Sequence, residues 1–555
     1  MRLSRWTAVF LSLLLTLSGC RVLQLLSPTP TVPPTPTIQP SPTAQPSPAI
    51  QPSPTIENNS TTITLKGAEE QKGNGEFPSA PLHLRTSAQT EAMRPEARDD
   101  LATLGNLTHY SIDVTIDYDN LTFTGREIVD YTNTERTPLD KLNFRLFPNG
   151  GHSYGNGVLT VSRVTVDGEP VEPKLSLEDT VLQVRLPAIL RRGKSVQLLL
   201  EFEGTVPRDF GESSVRSGYG TYNFADGVMA LAGWYPILAV FDDEGWNLDP
   251  TSAVGDSVYS DMAFYTVDIT TRSDLVLAAT GAEVSQEILD GTTRYRYASG
   301  PAREFFVILS PDLEKATDSA DGITVNSYYL PGHEAGGEAA LRIAVDALKA
   351  FSRRFGPYPY VELDVVDAPM RSAAGVEFPG IILIGDFLYD NFGDLFFEIA
   401  TAHEVAHQWW YNVVGNDVID EPWLDEALVT YSSGVYFQDV KGANVFQRVR
   451  EQWDQAYDQA VKSGRDDLVT QPLEYWDRPE NRERYGAIVY LKGALFFQAV
   501  RDDIGDDAFF KALQAYYQSR KYKIATPDDL LDAFEQAAGR QLDDLYQEWL
   551  YSARS

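Results

Sequence analysis

Between Tyr110 and Ser310 apolar and polar residues alternate in short runs, Tyr110 to Tyr118, Leu121 to Tyr131, Val158 to Val166, Val181 to Leu186, Val196 to Phe202, Phe264 to Thr270 and Glu304 to Leu309. Alternation with period two gives each strand one apolar face, and pairs such as Asp119-Asn120 and Asp167-Gly168 supply turns between them. The pattern predicts an antiparallel β-sandwich-like domain over residues 101–320. The stretch Leu231-Ala232-Gly233-Trp234-Tyr235-Pro236, with Asp242-Asp243-Glu244 behind it, breaks the alternation and is expected to be a long irregular insertion. After Gly322 the period lengthens: Leu341, Val345, Leu348, Phe351 and Phe355 mark a helix stopped by Gly356-Pro357. Runs at Val361 to Val366 and Ile381 to Ile384 predict strands, and nearly everything from Asp394 onward reads as helix, including one that starts behind Thr526 as N-cap. The expected fold class is α+β multidomain, with a mainly helical second domain over 321–555.

The first residues follow neither pattern. Arg2 and Arg5 precede an apolar run from Trp6 to Leu17, short for a membrane span and of the right length for an export signal. Leu17-Ser18-Gly19-Cys20 resembles the bacterial lipoprotein signal. That resemblance implies a signal peptide over 1–19, lipidation of Cys20, and an extracytoplasmic protein anchored to the cell membrane by its acyl chains. From Ser27 to Ile56 the chain is almost entirely Pro, Thr, Ser and Gln, with Gln-Pro-Ser-Pro recurring at Gln39, Gln45 and Gln51. Such composition favours an extended stalk, and polar, breaker-rich sequence continues to about Asp100. Residues 20–100 are therefore expected to be a lipidated, disordered stalk, with order starting near Leu101.

Composition narrows the chemistry. Apolar residues make up 43% and aromatic residues 11%, enough to build cores in both domains. Lys and Arg total 46 against 79 Asp and Glu, a net charge of -33 that repels a phosphate backbone, so nucleic acid is not an expected partner. The acidity reads as a solubilising surface. Cys20 is the only cysteine, so the fold holds no intramolecular disulfide and any metal site must be built from His and carboxylates. No Gly-rich phosphate loop, nucleophile elbow or cysteine nucleophile offers a competing chemistry.

One segment carries a specific chemistry. In His403-Glu404-Val405-Ala406-His407 the two histidines stand four apart in a helical run, so both imidazoles project from one face toward one ion. Two neutral imidazoles are half of a tetrahedral zinc site, a carboxylate is the expected third ligand, and a fourth position stays open for water. Glu426 follows His407 after eighteen residues, at the start of the next predicted helix, where an antiparallel helix pair can bring it to the same ion. Glu404 is then placed as general base, taking a proton from water that the ion acidifies. His83, His109, His152 and His333 read as ordinary core or surface histidines.

These residues resemble the gluzincin aminopeptidases, typified by membrane alanyl aminopeptidase and the leukotriene hydrolase. The signature is His-Glu-x-x-His, eighteen residues, then Glu in a Trp-Leu-Asn-Glu block; here the block is Trp423-Leu424-Asp425-Glu426, with Asp425 in place of Asn. Phe355-Gly356-Pro357-Tyr358-Pro359-Tyr360 is similar to the family's strand entry, and Gly375-Val376-Glu377-Phe378 to its Gly-x-Met-Glu-Asn element, with Val376 and Phe378 departing from Met and Asn. Tyr485 to Ala494 resembles the family's tyrosine helix. The resemblance implies a thermolysin-like catalytic domain and one zinc ion per chain held by His403, His407 and Glu426. It implies further that Glu377 pairs with the free ammonium of a peptide substrate beside Gly375, that Tyr490 donates to the oxyanion, and that Tyr485 assists. It covers roughly Ile323 to Ser555, and more loosely the preceding β domain; the second β domain and helical superhelix that many relatives carry after the catalytic domain are not expected. The reading that follows is a zinc aminopeptidase; an endopeptidase and a non-catalytic surface binding protein that keeps the peptidase fold are the alternatives. Nothing in the sequence sets the oligomeric state.

Overall fold

The computed structural model describes residues 87–151, 154–208, 220–371 and 373–554; the expected signal peptide, Cys20 and the proline-rich stalk lie outside the described residues. The β-rich part is dominated by an eight-stranded sheet in the spatial order Ala282–Ile288, Thr292–Ala298, Ala263–Arg272, Thr108–Asp117, Thr122–Thr132, Ser195–Thr205, Val158–Val166 and Glu169–Val171. Its pairings are antiparallel except that Thr108–Asp117 runs parallel to Ala263–Arg272, Thr108 opposite Ala263. Two four-stranded sheets complete this part, and the alternating strands turn Ile112, Val114, Leu198, Leu200, Val267 and Ile269 into one core.

Two expectations are corrected and one is borne out with a difference. Order begins before Leu101: the Gln89–Ala92 helix packs in, with the Gln89 amide donating to the Tyr265 carbonyl at 3.1 Å and Met93 fully buried. A polar, proline-bearing sequence hides this because only a few of its residues reach the core. The Trp234 region is irregular as expected, with only the two-residue strand Ile237–Leu238 between Leu231 and Ala263, but it is packed into the core and follows a hairpin that the alternation did not mark. Tyr222–Ala225 and Val228–Leu231 form an antiparallel hairpin, Trp234 is fully buried among Phe123, Phe202 and Tyr235, and its indole N–H donates to the Phe305 carbonyl at 3.0 Å. Val228–Leu231 is buried on both faces, so no alternation marks it as a strand. The Glu304 to Leu309 run is a strand only over Val307–Ser310.

A five-stranded sheet follows, ordered Glu314–Ala320, Ile323–Tyr329, Glu362–Ala368, Ile381–Gly385 and Gly375–Phe378. The central pairings are parallel and Gly375–Phe378 is an antiparallel edge, Glu377 opposite Ile382. The Glu334–Arg354, Leu395–Ala406 and Trp423–Val440 helices pack together, and the last two are buried nearly all round, as fits helices at the centre of a large core. The final helices include Pro527–Ala538, where the Asp529 carboxylate accepts the Thr526 backbone N–H at 2.9 Å in a capping box.

Arg303 ties the β-rich part to the helices. Its buried guanidinium donates to the carbonyls of Tyr411 at 2.5 Å, Ser260 at 2.9 Å and Lys523 at 2.9 Å. Gly415 makes the room: a Cβ there would sit 2.0 Å from Arg303 Cζ. No helix among the described residues is long and apolar enough to cross a membrane.

Candidate metal centre

His403 and His407 stand on one face at the end of the Leu395–Ala406 helix, with ring centroids 5.0 Å apart, and Glu426 lies in the first turn of Trp423–Val440. The helix pair brings the three together: His403 Nε2 is 3.2 Å and His407 Nε2 3.6 Å from Glu426 Oε2. His407 Nδ1 lies 3.2 Å from the Trp410 carbonyl, a hydrogen bond that puts the proton on Nδ1 and leaves Nε2 as the donor for an ion. Asp425 accepts the Glu426 backbone N–H through Oδ1 at 2.8 Å, within the first turn of that helix.

The residues fit a zinc ion. Ligand atoms of all three lie within 4.8 Å of one another, all three side chains are buried, and two imidazole nitrogens with one carboxylate are the donor set of a catalytic zinc site. Burial would raise the Glu426 pKa, but the hydrogen bonds and charges of His403 and His407 outweigh it and hold the carboxylate well below its usual range. Burial lowers the affinity of His407 for a proton, yet Glu377 and Glu426 more than compensate and raise it. Excess negative charge thus faces a pair of imidazoles, which a divalent cation balances. Burial, reinforced by Glu426, pushes Asp425 up to about 7.

Glu404 is buried on the same helix, and Glu377, Glu404 and His407 also bring ligand atoms within 4.8 Å of one another. Gly375 is what admits Glu404: a Cβ on it would lie 2.5 Å from Glu404 Oε1, so any side chain there displaces the carboxylate. Glu377 sits on the Gly375–Phe378 edge strand, 6% exposed, with Oε1 3.6 Å from His407 Nδ1. Burial, then the charge of Glu404, drives its pKa well up despite His407. Phe378 stacks its ring on Phe306 at 3.9 Å, joining this strand to the β-rich part.

Tyr490 lies in a π-helical stretch, Gly486–Lys492, a local widening of the helix that recurs at functional sites. Its hydroxyl donates to Glu426 Oε1 at 2.5 Å and its ring stacks on His403 at 5.9 Å. Tyr485 packs edge-on against Tyr490 at 5.6 Å, and a Cβ on Gly255 would meet the Tyr485 hydroxyl at 2.8 Å. Lys492 is anchored by Asp466 at 3.0 Å and by the carbonyls of Asp467 and Ser552, each at 2.7 Å, which holds the segment in place.

Several of these side chains open onto one cleft, lined by Gly375, Glu377, Glu426 and Tyr490 on one side and by Tyr154, Thr251, Asp256 and Val258 on the other. The second wall belongs to the β-rich part and was not foreseen. Thr251-Ser252-Ala253-Val254-Gly255-Asp256-Ser257 reads as turn sequence and carries no motif. Asp256 is partly buried there, and burial raises its pKa to about 6.

The geometry brings two imidazoles and a carboxylate that can hold a metal ion beside a further carboxylate and a hydroxyl donor, an arrangement suited to metal-assisted hydrolysis. Residues 339–549 match the family model described as Peptidase family M1 domain. Aminopeptidase 2 of Candida albicans is 22% identical over 484 residues, covering 84% of this chain and 49% of that protein. Probable aminopeptidase 1 of Saccharolobus solfataricus is 23% identical over 421 residues, covering 71% of this chain and 51% of that one. The chain therefore spans about half the length of these relatives. The M1 zinc metallopeptidase from Deinococcus radiodurans shares the fold, with a TM-score of 0.63 at 21% identity over 81% of this chain and 94% of that one. A mutant of the same protein was solved with a Tyr-Ser-Ala substrate, at TM-score 0.60 and 20% identity.

Proposed function

We propose that this chain is a zinc-dependent aminopeptidase that binds one zinc ion and releases residues from the N-terminus of peptides. One observation carries the reading: His403, His407 and Glu426 converge beside Glu404, while Glu377 stands in the same cleft as a second, separate carboxylate. The match to the M1 domain spans all of these residues, and the relatives named as aminopeptidases support the substrate class.

A bound zinc ion would supply Lewis acidity to the attacking water and the scissile carbonyl. Glu404 takes the proton of that water and delivers it to the departing amine. Tyr490 turns its hydroxyl from Glu426 to the carbonyl oxygen as charge builds there. Glu377 pairs with the substrate ammonium and so fixes which peptide bond lies at the centre.

The test is one peptide with its N-terminus free or acetylated, given to the wild type and to Glu377→Gln. Cleavage of the free peptide alone by the wild type, with the distinction lost in Glu377→Gln, supports the proposal; equal cleavage of both by the wild type replaces it with an endopeptidase. The lipid anchor on Cys20 is part of the proposal, supported by the Leu17-Ser18-Gly19-Cys20 box and the apolar run before it. Cys20→Ser is expected to release the protein into the medium, and a protein still retained on the membrane would refute the anchor.

A further inference from the structure

We infer that Asp256 makes the enzyme prefer substrates whose N-terminal residue carries a cationic side chain, by setting a carboxylate into the wall of the first side-chain subsite. The inference rests on the aminopeptidase reading of the site. Of the three carboxylates that line the cleft, Glu426 faces the ion and Glu377 faces the ammonium, which leaves Asp256 with neither task. No Lys or Arg side chain lines this cleft, and among the described residues none forms an ion pair with Asp256. Glu304, Glu377 and Glu426 stand within electrostatic reach of its carboxylate, with His407 opposing them. A carboxylate facing like charges favours a cation arriving from outside.

The loop holds this carboxylate still. Asp256 Oδ1 accepts the Val258 N–H at 3.1 Å, Ser257 Oγ accepts the Ser252 N–H at 2.8 Å, and Thr251 Oγ1 donates to the Gly150 carbonyl at 2.8 Å. Gly255, at φ +64°, lets the loop press against Leu473 and Tyr485. That contact sets Gly255 against Tyr485, and Asp256 lines the same cleft as Tyr490; in the aminopeptidase reading this cleft receives the residue N-terminal to the scissile bond. Tyr154, Val258, Val376 and Phe378 give the same cleft apolar wall for the methylene stem of a long basic side chain.

An aspartate that serves only its turn would behave differently. Asn supports the same Asp256-to-Val258 turn, so Asp256→Asn removes the charge and keeps the loop. The experiment uses the full zinc-loaded chain carrying Glu404→Gln and follows, by calorimetry, the binding of two tripeptides, Arg-Ala-Ala and its uncharged isostere with citrulline first. The arginine peptide is expected to bind about tenfold tighter, with Asp256→Asn erasing that ratio and Asp256→Glu retaining a preference for charge. An equal affinity for the two peptides with Asp256 intact, a ratio unchanged in Asp256→Asn, or an equal loss for both peptides would each overturn the inference. The first of these needs no variant of the loop and so does not depend on its folding. Binding is read without turnover; a failed peptidase reading appears instead as a wild type that cleaves neither peptide.

Discussion

Glu404→Gln loses about 10²- to 10⁴-fold in kcat on any peptide the wild type cleaves, while the protein keeps its zinc. The change is isosteric, and the pocket that Gly375 leaves for the side chain accepts an amide as readily as a carboxylate. What disappears is the ability to accept a proton. Because His403, His407 and Glu426 form a group that excludes Glu404, metal content stays at the wild-type ratio. Steady-state kinetics with metal analysis of the same sample check both halves. Zinc lost together with activity would make Glu404 a ligand, and activity retained would remove it from the reaction.

Tyr490→Phe lowers kcat by about 10²- to 10³-fold and changes KM little, because an oxyanion donor acts only as charge develops. The hydroxyl stands on Glu426 Oε1, one rotation from the carbonyl oxygen it would serve, and the ring stacked on His403 is kept by Phe. Losing that bond to Glu426 costs stability by about 1 kcal/mol. A melting curve separates this loss from the kinetic one. A rise in KM with kcat intact would instead make Tyr490 a binding residue, and unchanged kinetics would leave it a ring that packs against the histidines.

The chemistry of the centre was legible because it is local. His403, Glu404 and His407 lie on one turn of helix, so spacing alone puts the imidazoles together. Glu426 was within reach for a similar reason, since the following helix returns antiparallel. Glu377 and Tyr490 reach the site through tertiary packing of an edge strand and a π-helical stretch, and no periodicity predicts either; the resemblance to a family supplied them. Asp256 had neither support, coming from a turn in the other part of the molecule with no counterpart motif. Strands were read well where one face is wet, as in Val158–Val166, and missed where both faces are buried, as in Val228–Leu231, because burial on both sides removes the alternation. Phe378 shows the limit from the other direction: it looked like a departure from a substrate-binding motif, and its ring is occupied by Phe306.

The measurement that tests the central claim most directly is mass spectrometry of the products from one decapeptide, free or N-acetylated, after incubation with the zinc-loaded chain. A ladder shortened one residue at a time from the free N-terminus, with the acetylated peptide untouched and all cleavage stopped by a chelator, is the predicted result. Internal fragments from both peptides, or cleavage indifferent to the chelator, would contradict it.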